Sequence, residues 1–153
     1  MSRVSQFVFQ VSAVFAFGLF TAVLPQTGSP TQQNTEVGPI RSSAAYSVVM
    51  LRRTELEADL VSFVEDYTEE NPRVIDARFE LASINKEVDR MFTISPSETQ
   101  RLTESTGKLI LRKAELETEK NRLLRTYKQD HPQVKRITKK IEIFQKALKQ
   151  IFG

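Results

Sequence analysis

Tyr67-Thr68-Glu69-Glu70-Asn71-Pro72-Arg73-Val74 returns sixty positions later as Tyr127-Lys128-Gln129-Asp130-His131-Pro132-Gln133-Val134. In each octapeptide the residue before proline is steered away from helical backbone angles. Asn71 and His131 stand where a cap is needed. Pro72 and Pro132 suit the first helical position, where no amide hydrogen is required. Each run therefore ends one helix and opens the next within a few residues, and so short a connection forces antiparallel neighbours.

On either side of these bends the match extends without a gap from Leu51–Phe92 to Leu111–Phe152, with Arg52, Glu55, Leu56 and Glu57 facing Arg112, Glu115, Leu116 and Glu117. Self-similarity at one fixed period indicates a duplicated supersecondary unit. After the first bend, apolar residues step by three and four through Val74, Ala77, Leu81, Ile84, Val88 and Met91. After the second they run Val134, Ile137, Ile141, Phe144, Leu148 and Ile151. That is a heptad seam. Before the bends the seam reads Leu56, Leu60, Phe63 and Tyr67, and then Leu109, Leu116, Leu123 and Tyr127, with Lys120 where an apolar residue belongs. Stripes this narrow cannot hold isolated helices, so each must pair with a neighbour.

The expectation is an all-α protein of two tandem antiparallel helical hairpins, in a coiled-coil or four-helix arrangement. The four helices fall at about 44–69, 72–92, 97–129 and 132–152, since proline, Asn and Ser/Thr punctuation sets their ends. Hairpin 1 occupies 44–92, a connector 93–96 and hairpin 2 97–153. Ser95-Pro96-Ser97-Glu98 has capping-box spacing and is expected to open the third helix. The copies could form a bundle or lie end to end. Narrow stripes favour the slender, oligomerising form.

The first 43 residues differ in character. Arg3 precedes an apolar run over residues 7–24. Its length of about 27 Å as a helix is near the minimum for a bilayer core of roughly 30 Å. Residues 1–24 thus read as an uncleaved signal anchor or as a cleaved signal peptide, and either exports the chain. The basic residue before the run places the remainder of the chain across the membrane. Residues 25–43, rich in Pro, Gly, Ser, Thr and Gln, read as a disordered linker.

The net charge of +3 hides an asymmetry. Residues 44–92 carry eleven acidic and six basic side chains, whereas residues 108–152 carry five acidic and thirteen basic ones. Opposite halves favour contact within a chain or head to tail between chains.

The chain has no cysteine, which excludes disulfides, thiolate metal sites and thiol nucleophiles. His131 is the only histidine, and its place at a bend explains it as a cap rather than a base or ligand. Phosphate loops, nucleophile elbows and HExxH are missing, so neither an enzyme nor a cofactor is expected. Lys135, Arg136, Lys139 and Lys140 form a basic face able to bind an acidic glycan, lipid or nucleic acid, or a neighbouring acidic helix. Export and the lack of interleaved aromatics disfavour nucleic acid.

The Tyr127-x-x-x-His131-Pro132-x-Val134 run, followed by Ile137, Ile141 and Phe144, resembles the coiled-coil hairpin of bacterial polysaccharide chain-length determinant and exopolysaccharide-export proteins. The resemblance covers both hairpins and the anchor; the family's C-terminal membrane helix and α/β domain have no counterpart in these residues. It implies a non-enzymatic envelope scaffold, single-pass in the inner membrane with its C-terminal part in the periplasm, or periplasmic after cleavage. The implied partner is a second copy or another envelope protein.

Overall fold

The computed structural model describes residues 38–153, and the anchor and most of the linker lie outside them. Six helices and no strand make up the described residues. They are α1 (Gly38–Arg41), α2 (Ala44–Asp66), α3 (Pro72–Met91), a 3-10 helix (Pro96–Arg101), α4 (Glu104–Leu124) and α5 (Pro132–Phe152). None is long and apolar enough to cross a membrane.

Both bends form as the octapeptides dictate. Asn71 Oδ1 accepts from the Arg73 amide at 2.9 Å, and His131 Nδ1 accepts from the Gln133 amide at 3.3 Å. Each satisfies one of the orphan donors at a helix start. The Tyr67 and Tyr127 amides each close onto a carbonyl four residues back, at 2.8 Å. Helix therefore stops at Asp66 and Leu124, earlier than the expected 69 and 129.

The third helix also begins later than its capping box suggests. Ser95 makes no side-chain cap; instead 3-10 bonds such as Glu98 N to Ser95 O (2.9 Å) run until Leu102, whose ψ of 60° breaks the helix. Thr103 is the true cap, accepting from Thr106 N at 3.3 Å. The cause is local competition plus burial. Ser and Thr side chains offer the backbone other partners, while Leu102 turns into the core beside Ile94 and Ile40.

Helix is likewise present before the expected end of the linker at 43. Gly38–Arg41 is helical and Ile40 is buried, so an apolar side chain ties the end of the Pro/Gly-rich stretch down. Ser43 then caps α2 by accepting from Tyr46 N, the counterpart of Thr103 and Thr106 sixty residues on. The structural repeat thus reaches further back than the sequence match.

The two hairpins lie side by side, which corrects the expected slender, end-to-end form. At the open end the Ala45 amide donates to the Leu102 carbonyl at 3.1 Å. Near the bends Asp76 of α3 accepts from Arg122 at 2.9 Å and from Arg125 at 2.7 Å, both from the C-terminal end of α4. Both bends therefore point the same way. Helix α4 packs against α2, α3 and α5, so it is the centre of the molecule. One apolar cluster joins Ile40, Val49, Ile84, Met91, Ile110 and Leu148; a smaller one joins Leu116, Ile137 and Ile141.

The close approach of α2 and α4 depends on Gly107. A Cβ there would lie 2.9 Å from the Ala45 carbonyl oxygen and 3.1 Å from Val48 Cβ. The nearer neighbour is backbone and cannot swing aside. Gly107→Ala gains about 1 kcal/mol of helix propensity but incurs an overpacking strain of about 1–3 kcal/mol. The expected result is a net loss and a lower melting temperature by circular dichroism; an unchanged or raised midpoint would mean the helices pack further apart.

Candidate functional site

Of the expected seam residues, Leu56, Val74, Ile84, Val88, Leu116 and Val134 are buried, as are Ile137, Ile141 and Leu148. Leu60, Phe63, Leu81, Leu123 and Phe144 are half-buried and pack on the two clusters. Tyr67 and Tyr127 lie at the wet edge, each 38% exposed. Tyr67 stacks edge-on to Phe63 with Arg73 over its face, whereas Tyr127 stacks on His131 with centroids 4.0 Å apart. Both aromatics brace a bend. Asn71 and His131 are half-buried there, and Pro72 and Pro132 are exposed.

Sequence reasoning did not find the polar cluster between α3 and α4. Glu87 is 1% exposed and Lys113 4%. Lys113 Nζ lies 3.0 Å from Glu87 Oε1 and donates to Glu117 Oε1 at 2.6 Å. Arg90 donates to the other oxygen of Glu87 at 2.9 Å, and the Ser83 hydroxyl donates to Glu117. Two carboxylates thus meet two cations, and among the described residues no buried side-chain polar atom lacks a partner. A heptad reading gives each helix one apolar seam. Only the central position of α4 buries a second face and takes these charges out of water. The available signal was Lys113, set between the apolar Ile110 and Ala114 and one turn before Glu117.

Nearby, Arg52 of α2 donates to Glu80 of α3 at 2.9 Å. The hydrogen bond to Glu80 raises the Arg52 pKa above its ordinary value, outweighing the opposing effect of partial burial. Above the polar cluster an open cleft of about 510 Å³ separates α3 from α5 over α4. Phe79, Ser83, Glu117, Lys120, Leu124 and Ile141 line it. Lys120 occupies the position where the seam expected an apolar residue. It is half-buried, and a lysine can occupy such a position by burying its aliphatic stem while its ammonium stays in water. The ionisable groups of the cleft are Lys86, Lys120 and Glu117, and Glu117 is already engaged by Lys113 and the Ser83 hydroxyl. Among the described residues no group of acidic or histidine side chains is arranged to hold a metal ion.

The outward faces offer more. On α2, Leu51, Val61 and Val64 are exposed, and on α5 Ile143 is 67% exposed. Large aliphatic groups at such positions leave apolar surface in water that a partner would cover. Acidic Glu65, Asp66 and Glu69 accompany the α2 stripe, while Arg136, Lys139 and Lys140 surround Ile143. Lys135, Arg136, Lys139 and Lys140 are all exposed, and among the described residues none of the four forms an ion pair. Lys135 and Lys139 fall on one flank of α5, in a groove with Lys120; Arg136 and Lys140 fall on the other, beside Glu119. The expected single basic face is two basic flanks.

Comparison with protein-family models, with curated proteins and with solved structures finds no match to this chain.

Proposed function

We propose that the protein is a non-enzymatic, membrane-tethered scaffold of a bacterial envelope. Its helical hairpins, resembling those of polysaccharide-export proteins, work by helix-to-helix association with a second copy or another envelope protein. The observation that carries this reading is the short exposed stripe of Val61 and Val64 on α2 and the exposed Ile143 on α5, the first accompanied by acidic and the second by basic side chains. Burying such a stripe contributes about 25 cal/mol per Å² of apolar surface, and the flanking charges select orientation.

Two measurements test it. The chain should stay in the membrane fraction through an alkaline carbonate wash, and the Phe15→Arg/Phe17→Arg variant should be released. Mass determination of the mature chain reads whether the leader is removed. In cells, a lysine-reactive crosslinker should yield a discrete protein adduct. A carbonate-soluble chain that forms no adduct would end this reading.

A second reading rests on the uncompensated basic flanks of α5, which could grip an acidic polysaccharide. It expects binding that falls steeply between about 50 and 200 mM salt, because each lysine contact releases a counterion. Lys135→Glu with Lys139→Glu should abolish it. Salt-insensitive retention would remove the polysaccharide.

A further inference from the structure

We infer that the partner is a second copy of this chain, whose α2 docks on the free face of α5 and so continues the stack of hairpins already begun inside one molecule; this rests on the scaffold reading above. The molecule contains one complete joint between hairpins and leaves two half-joints open.

Inside the chain, α3 presents Asp76, Ser83 and Glu87 to α4, which answers with Arg125, Glu117 and Lys113. A shift of sixty residues carries the α3 positions onto Arg136, Ile143 and Ala147 of α5, and the α4 positions onto Glu65, Glu57 and Arg53 of α2. Those two faces have no neighbouring repeat within the described residues.

Their chemistry is complementary at the equivalent places. Asp76 with Arg125 becomes Arg136 with Glu65, so both charges reverse and the pair remains opposite in sign. Arg53 keeps a carboxylate of its own, because Glu57 accepts from it at 2.9 Å, just as Glu117 accepts from Lys113. Ala147 in place of Glu87 therefore leaves no charge without a partner. Two polar positions become apolar, Ser83 as Ile143 and Asn121 as Val61. Ser83, Asn121 and Leu124 meet around the cleft between the copies; their counterparts are Ile143, Val61 and Val64, exposed by 67%, 61% and 47%. A face that merely met water would not need three large aliphatic groups in register with an existing joint.

The open joint is not an identical copy. Ser47 stands where Gly107 permits the closest backbone approach, so the second molecule sits wider at the open end. Contact concentrates toward the bends, where Ile143, Val61, Val64 and the Arg136–Glu65 pair lie. Such an interface joins two different patches. It generates an open array or a closed ring rather than a symmetric dimer.

The absence of native cysteine makes the register directly testable in the full-length chain. Oxidation of membranes carrying the Val61→Cys/Ile143→Cys double variant should give a ladder of multimers, and the two single variants, mixed, should give dimers only. Each single variant alone should give none. Arg136→Glu should remove the ladder and adding Glu65→Arg should restore it, a rescue that mere surface stickiness would not produce. Dimers from Ile143→Cys alone would replace the stack with a symmetric contact and overturn the inference. So would the lack of any self-crosslink. Crosslinks solely to a different protein would also overturn the second copy while leaving the scaffold reading intact; the carbonate wash tests that reading separately.

Discussion

Lys113→Leu is expected to destabilise the folded body by about 3 kcal/mol, because it leaves Glu87 buried with only Arg90 to balance it. In a domain of this size that corresponds to a fall in melting temperature on the order of 10 °C. Glu117 is less affected, since it reaches the cleft and keeps the Ser83 hydroxyl. Combining Lys113→Leu with Glu87→Leu should recover most of the loss, as a buried ion pair replaced whole by apolar groups is often neutral. Thermal melts of both single variants and the double close the cycle. If Lys113→Leu melts like the parent, the charges are not packed between α3 and α4.

Ile141→Asp and Ile143→Asp should part company although only one residue separates them. Ile141 is buried against Leu116 and Ile137 between α4 and α5. An aspartate there strands a charge without a partner and should cost more than about 4 kcal/mol, enough to melt the second hairpin. Ile143 points to solvent, so its aspartate variant should keep the parental circular dichroism and melting midpoint within about 0.5 kcal/mol. It should lose the adduct formed by the lysine-reactive crosslinker instead. Equal melting of the two variants would show that the α5 seam has been assigned to the wrong face.

Much of this fold was legible because its determinants are local. Asn71-Pro72 and His131-Pro132 act through backbone angles and one capping bond each, and neither depends on distant residues. Heptad spacing needs only the helix period, so it pointed Val74, Ile84, Val134 and Ile141 inward. Where several local signals competed, reading failed. Ser95-Pro96-Ser97-Glu98 has every mark of a helix start, yet burial of Leu102 broke the helix and handed the cap to Thr103. The interaction surfaces were only half visible. The basic residues of α5 were plain in the sequence, but their division between two flanks depends on which side of α5 meets α4.

The all-helical character of residues 38–153, their duplication, the two bends and the opposite charge of the two hairpins follow from residue order alone, because periodicity, proline geometry and composition require no knowledge of distant neighbours. Three-dimensional packing was needed to set the hairpins side by side with α4 at the centre. That choice depends on a glycine meeting a backbone carbonyl and on a lysine meeting a glutamate of another helix, contacts between segments whose spacing along the chain carries no signal of their meeting.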